Sequence, residues 1–343
     1  MKKLLMSHWE HAEKILSKNK LNVVLIMHVQ EPRGQINWNQ IQCASTERFS
    51  VDEFNEIYQG IVAAGYYISA TYYNELDFVS DYLAHPDRFH DCLIYTLARN
   101  GRGFNKKVII PAFCDLMNLS YSSSSALSCA LCRNKYYFST LLRSQKLPTP
   151  KSWLLDSNGT WVAGAPPVGT LVICKPAAES ASQGVNETGI FISSTSAYEK
   201  YRGAQYIVQE FIDGDECEVP IIKCGDEVIS FPPVGINLMG KRILDEASSE
   251  NYEYTFYALS TRKDSSILRK VRHYAESTFR LMEMDTYGRV DFRIDESGIP
   301  YIFDISTTPY TTRHSSYAFA FEQAGLEYSD IYRTIISAAL LRE

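Results

Sequence analysis

The spacing of apolar and polar positions changes several times along the chain, and the changes mark its elements. Leu21 to Val29 is an unbroken apolar, β-branched run, the pattern of a strand buried on both faces and so central in a parallel sheet. Ser50 and Glu53 form a capping box that opens a helix to about Ala64, and Gly65 ends it before strand-like Tyr66 to Ala70. Asn74 to Ala84 reads as a helix, Cys92 to Leu97 as a strand and Ile110 to Asn118 as a helix. This alternation predicts a doubly wound parallel-sheet α/β domain over residues 1–122.

The pattern then shifts. Ala126 to Ser144 is helical, and the prolines of Leu147 to Pro150 mark a rigid connection. Leu171 to Lys175 and Gly189 to Ser193 read as strands and Ser196 to Tyr201 as a short helix, a small α+β unit over 123–206. Strands follow at Tyr206 to Ile212, Glu218 to Lys223 and Glu227 to Phe231, then an aperiodic polar stretch from Asn237 to Thr255. A helix from Ser265 to Met282, a hairpin and a closing helix from Tyr328 to Leu341 complete a second α+β unit over 207–343.

Composition narrows the function. The formal charge of −6 is spread without a basic block, which argues against nucleic-acid binding. No run approaches the ~18 apolar residues of a membrane span, and charged Glu10, Glu13 and Lys14 interrupt the N-terminal apolar residues too early for a signal peptide. A cytoplasmic location is expected. The eight cysteines, Cys43 among them, lie mostly in apolar segments as small hydrophobes. Cys129 and Cys132 form a C-x-x-C without the second pair or the histidines of a zinc site.

The hairpin carries candidate chemistry. Gly288 to Asp295 and Ile299 to Thr307 flank Glu296-Ser297-Gly298. With Ser297 and Gly298 as the two loop residues, Asp291 stands opposite Asp304. Arg289 and Asp291 then share a face with Asp304 and Ser306, while Phe303 and Ile305 point away. Opposed like charges are unfavourable unless a cation or proton lies between them, and a divalent metal with oxygen ligands is one remedy. A solvated edge hairpin would carry the same charges, so the residues alone leave both readings open. Upstream, the Leu171 to Ala177 strand ends in Lys175 and runs into the small, hydroxyl-rich loop Ala178 to Gly184, whose backbone N–H groups can approach an anion. Ile207 to Ile212 runs into the acidic turn Asp213 to Glu216, where edge backbone can meet an adenine and a carboxylate a ribose.

Taken in order, Asn134-Lys135, LVICKPAAESASQGV, YIVQEFIDGDECEV, GRVDFRID and YIFDISTTPYTT resemble the ATP-grasp superfamily, in particular its D-alanine:D-alanine ligase branch. The resemblance covers about residues 90 to 343; residues 1 to 89 match only in their general α/β pattern. It implies ATP clamped between two α+β subdomains. It also implies attack of a carboxylate on the γ-phosphate, with an amine then displacing phosphate from the acyl phosphate. Carried over by motif, Lys135 and Lys175 contact the nucleotide phosphates, Gln209, Glu210 and Ile212 form the adenine hinge, and Glu216 binds ribose. Asp291, Asp304 and Ser306 take the places of ligands to two Mg²⁺ ions, with Mn²⁺ as an alternative. Arg289 resembles the arginine that stabilises charge on the reacting carboxylate, and Ser315 the serine at the acceptor's carboxylate. Small-molecule carboxylate and amine substrates, amino acids by class, and a homodimer through the N-terminal domain are implied as well.

The departures cluster where the resemblance places substrates. Ser306 replaces an asparagine ligand, Ala181 a serine and Tyr310 a glycine. LDEASSENYEY lacks the branch's lysine–tyrosine pair, and Ala98 to Phe104 lacks its His-Gly. The expectation is a ligase of amino-acid-like substrates other than two D-alanines. The alternatives are a cell-wall D-alanine:D-alanine ligase and a non-catalytic ATP-binding protein of the same fold.

Overall fold

The computed structural model describes residues 1–16, 21–30, 47–101 and 103–342; Cys43 and Arg102 lie outside the described residues. The chain opens with α1 (Lys2–Leu16), β1 (Asn22–Met27), α2 (Val51–Ala63), β2 (Tyr67–Tyr72), α3 (Glu75–Ala84), β3 (Cys92–Leu97), α4 (Ile109–Met117) and the two-residue β4 (Ser120–Tyr121). The strands form a parallel sheet of order β2-β1-β3-β4. The apolar run of β1 divides as its side-chain period requires. Val23, Leu25 and Met27 face α1 and α2 on one side, while Val24 and Ile26 pack with Phe78 of α3 and Ile110 of α4 on the other. The capping box is formed, with Glu53 N–H donating to Ser50 Oγ (3.1 Å) and Ser50 N–H to Glu53 Oε2 (2.7 Å).

The helix expected from Ala126 to Ser144 is two helices, α5 (Ala126–Arg133) and α6 (Lys135–Ser144). Asn134 leaves helical geometry (φ −91°, ψ 100°) and its side chain accepts from the Tyr136 and Tyr137 N–H groups, so it ends one helix and caps the next. A second four-stranded sheet, all antiparallel, has the order β5-β8-β6-β7 from β5 (Ser152–Leu155), β6 (Leu171–Pro176), β7 (Ile190–Ile192) and β8 (Tyr206–Glu210). Residues 195–200 form successive turns rather than the short helix expected over 196–201, and β8 stops at Glu210 rather than Ile212. The chain crosses to the next sheet at Gly214, whose φ of 148° only glycine adopts freely and where a Cβ would lie 2.0 Å from the Ile294 carbonyl.

The third sheet has six strands. Its path is β12-β11-β9-β13-β14 with β10 beside β9, built from β9 (Asp215–Cys224), β10 (Glu227–Ser230), β11 (Val234–Asn237), β12 (Thr255–Ala258), β13 (Tyr287–Ile294) and β14 (Pro300–Ser306). The stretch that carried no periodicity holds α7 (Glu246–Glu250). Behind the sheet lies α8 (Ser265–Leu281), capped by Asp264, with Val271, Ala275 and Phe279 packed on Val290, Phe292 and Ile294. Each fully buried valine, isoleucine or phenylalanine among them contributes about 1.5–3 kcal/mol. The closing helices α9 (Ser316–Gln323) and α10 (Tyr328–Leu340) join this sheet to the first. Tyr332, Ile335 and Ile336 share one core with Leu25 and Met27.

Candidate active site

With α8 on one face of the six-stranded sheet, the alternation of β13 turns Arg289, Asp291 and Arg293 to the other. The ladders place Glu218 of β9 opposite Asp291, and Asp291 opposite Asp304 of β14. Three carboxylates therefore stand in one row across three strands. Arg289 relieves their repulsion, with Nε and Nη2 each 2.8 Å from an Asp291 oxygen and Nη2 3.0 Å from Glu218 Oε1. Burial pushes the Asp291 carboxyl up, Arg289 opposes it and Glu218 adds to the push, which leaves it at about 7. Burial raises Glu218 as well, against the same arginine.

The expected pairing of Asp291 with Asp304, and of Arg289 with Ser306, is present, but its premise is not. Near the turn the partners are Ile294 and Pro300, one residue off the two-residue-loop register. Phe303 is then an extra residue opposite the Asp291–Phe292 step, a β-bulge that restores the expected pairs beyond it. The bulge also turns Phe303 into the cleft rather than away from it, where Lys175 Nζ lies 5.2 Å from its ring centroid. Ile305 does point into the core.

Lys135 occupies the first position of α6. Its Nζ donates to the Glu179 carbonyl (2.7 Å) and lies 3.4 Å from Asp304 Oδ1. Lys175, at the end of β6, is buried without an ion pair among the described residues. Burial first and Lys135 second depress its ammonium to about 8, although Asp304 and Glu216 oppose them. Burial pushes Asp304 up, but Lys135 and Lys175 outweigh it and, with the Ile305 N–H at 3.0 Å, hold the carboxyl below its usual range. Two buried ammonium groups around one carboxylate leave an excess of positive charge, which suits polyphosphate.

Gln209 lies inside the central sheet between β5 and β6, and its Nε2 donates to Ser152 Oγ at 3.1 Å. Its side chain thus braces β8 against β5. The Glu210 N–H is taken by the Lys151 carbonyl (2.9 Å) and the Ile212 carbonyl by Arg293 Nη1 (2.8 Å); the Ile212 N–H has no partner among the described residues. Glu216 is buried 3.6 Å from Arg293 Nη2, and burial raises its carboxyl despite that arginine. Ser315 caps α9, accepting from the Ala318 N–H (3.1 Å) and donating to the Thr312 carbonyl (2.6 Å). Ser306, Ser315, Tyr310 and Ala181 all line the same cleft, whose volume is about 710 Å³.

Several contributors escaped the sequence. Glu218 and Arg293 had a signal, since a second charge two residues from Glu216 or Asp291 in an apolar strand shares its face. The strap formed by residues 237–255 had none. Glu246 Oε2 accepts from the Gly184 N–H (3.1 Å) beside the phosphate loop, and Tyr252 Oη donates to Glu53 Oε1 (2.5 Å) on α2, so the strap bridges two units over the cleft.

Oxygen donors of the right kind for Mg²⁺ stand at Asp291 and Asp304, and Glu216 Oε2 and Glu218 Oε2 are buried without hydrogen-bond partners. Among the described residues no three acidic, histidine or cysteine side chains converge into a cage.

Paired antiparallel sheets with lysines at one wall, and a charged hairpin face at the other, define an ATP-grasp ligase that forms carbon–nitrogen bonds. The family model described as D-ala D-ala ligase C-terminus matches residues 157–337, and the chain belongs to that family. Its relatives include the D-alanine–D-alanine ligase of Cupriavidus metallidurans, 27% identical over 255 residues, with 71% of this chain and 75% of the relative covered. The fold is shared with the Bacillus anthracis D-alanine–D-alanine ligase complexed with ATP, at a TM-score of 0.65 and 17% identity over 93% of this chain and 97% of that one. It is also shared with the VanG D-Ala:D-Ser ligase of Enterococcus faecalis, at a TM-score of 0.63 and 16% identity over 94% of this chain and all (100%) of the other. Among the described residues no helix is long and apolar enough to cross a membrane.

Proposed function

We propose that this ligase joins two amino-acid-like substrates other than a pair of D-alanines, through an acyl phosphate. In this reading a donor carboxylate oxygen attacks the γ-phosphorus of ATP and ADP leaves. The amine of the acceptor then attacks the acyl carbon, loses a proton, and phosphate departs with the donor's oxygen. Lys135 and Lys175 hold the phosphates, while Gln209, Glu210 and Ile212 frame the adenine with Arg293 fixing the hinge carbonyl. Glu216 takes the ribose. Arg289 is steadied by Asp291 and Glu218 through Nε and Nη2, so that its Nη1 donors are left for the reacting carboxylate. Asp291, Asp304 and Ser306 would hold Mg²⁺, whose chemistry is neutralisation of phosphate oxygens. Ser315 and the N-terminus of α9 meet the acceptor's carboxylate. In this scheme the chain divides into the N-terminal parallel-sheet unit over 1–122 and two clamping units over 123–206 and 207–343, and pairing of two copies through the N-terminal unit belongs to it.

The observation that carries the reading is the row Glu218–Asp291–Asp304 beside two buried lysines in one cleft. The departure from two D-alanines rests on the walls. Tyr310 packs against Phe49 (5.0 Å between centroids), with Arg99 4.5 Å above its ring, and so fills space beside the hairpin's end. The shared fold of a D-Ala:D-Ser ligase supports the reading, since that neighbour is named for a pair other than two D-alanines. Coupled ADP release with a panel of D- and L-amino acids tests the proposal. Turnover with several pairs and little with D-alanine alone is expected, whereas strong activity confined to D-alanine makes it a D-alanine:D-alanine ligase.

A further inference from the structure

The row Glu218–Asp291–Asp304 has two unlike ends. At one, Asp304 lies 3.4 Å from Lys135 Nζ, on the side of the lysines given to the phosphates. At the other, Glu218 stands on β9 beyond Asp291. Its Oε1 receives Arg289 Nη2 at 3.0 Å, and Arg289, shared with Asp291, is its one ion-pair partner among the described residues. Glu218 Oε2 is buried in the wall of the cleft with no hydrogen-bond partner.

The helix α9 begins on the face that carries Glu218 and Arg289. Tyr317 and Phe321 pack with Ile222 of β9 and Tyr287 of β13, which share that face by strand alternation. Tyr317 Oη lies 2.8 Å from the Ile221 carbonyl oxygen and 2.7 Å from that of Gly288, which ties the first turn of α9 to both strands. The two serines that open the helix differ. Ser315 has spent its hydroxyl, donating to the Thr312 carbonyl and accepting from the Ala318 N–H. Ser316 is fully buried, lines the cleft, and its Oγ has no hydrogen-bond partner. It stands close enough to act on the Glu218 carboxyl, which burial raises and Arg289 and then Ser316 lower, but short of a hydrogen bond.

A buried carboxylate oxygen and a buried hydroxyl, both unmet, suit a ligand group that brings hydrogen-bond donors. A carboxylate or phosphate there would meet Glu218 with like charge, whereas an amine offers N–H bonds. The proposed function supplies one amine at this end, that of the acceptor whose carboxylate it puts at Ser315. Resting on that function, we propose that Glu218 Oε2 and Ser316 Oγ hold the acceptor's amine. Its two N–H bonds are directed to these oxygens, and the nitrogen's lone pair is turned to the acyl carbon beside Arg289. An alcohol in place of the amine has one O–H bond and leaves one of the two oxygens unmet.

Binding is measured by calorimetry on the full chain with a non-hydrolysable ATP analogue and Mg²⁺, which keeps the result independent of turnover. The probes are glycine against glycolate, alanine against lactate and phenylalanine against 3-phenyllactate, in both chiral forms where these exist, each pair differing in amine for hydroxyl. At least one amino acid is expected to bind about ten-fold or more tightly than its hydroxy partner. Glu218→Gln and Ser316→Ala should each reduce that ratio to within about two-fold, and Ser316→Thr should restore most of it. No amino acid bound more tightly than its hydroxy partner overturns the proposal, as does a preference that survives in Glu218→Gln or Ser316→Ala. With a pair that turns over, Ser316→Ala should raise the KM of the acceptor and leave those of donor and ATP nearly unchanged; a rise confined to the donor or to ATP overturns it as well. Failure of ADP formation with every pair would instead strike the ligase reading.

Discussion

Two cationic clusters face one cleft but are built in opposite ways. The first, Lys135 and Lys175 about Asp304, sits at the start of α6 and the end of β6, and it is left short of negative charge. The second, Lys106 and Arg133 about Glu47, is pinned by contacts that span 59 and 86 residues of chain, and it ties the N-terminal unit to the loop at Ala178 to Ser180. One region is poised for ligand at the expense of stability; the other spends its acids on holding units together. Removing a charge should therefore cost function in the first and fold in the second.

The sharpest way to break the comparison is Lys175→Met. It should lower kcat/KM by about 10²–10³-fold, the scale of losing one charge-stabilising donor, without lowering thermal stability, because the native state no longer buries an ammonium. Steady-state ADP release and thermal unfolding check both halves. Glu47→Gln should do the reverse. Leaving Arg133 and Lys106 buried with half their counter-charge should cost about 3 kcal/mol in denaturant unfolding, with ATP affinity changing far less.

The smallest effect is a pH dependence at the hairpin. The Asp291 carboxyl titrates near 7 in the folded chain, above its unfolded value, so the folded state binds the extra proton between about 4 and 7. Stability from this group is thus fully present at low pH and falls as pH rises through about 7. Ligand-free wild type should lose stability relative to Asp291→Asn over that window. Parallel unfolding profiles would place the raised pKa on Glu218 instead.

Local physics decided what the sequence revealed. The β1 run, the Ser50–Glu53 box, α8 and α10 were legible because hydrophobic period and caps specify them without distant partners. The short strands β4, β5, β11 and β12 were not, because two to four residues carry too little period to read. Asn134 looked like one more residue of a helix, yet its side chain competes for the next turn's N–H groups and breaks it. At the site, the Asp291–Asp304 pair was readable from hairpin register although the Phe303 bulge was invisible. Glu218 was within reach of strand alternation. Glu47 was not, since nothing local links it to Arg133 or Ser180.

The central claim, activation of a carboxylate by phosphoryl transfer, is tested most directly with a donor whose carboxylate is labelled with ¹⁸O. With an active donor–amine pair, mass spectrometry should find one ¹⁸O in each released phosphate, ADP as the nucleotide product, and one equivalent of amide. Unlabelled phosphate, or AMP in place of ADP, would contradict the account.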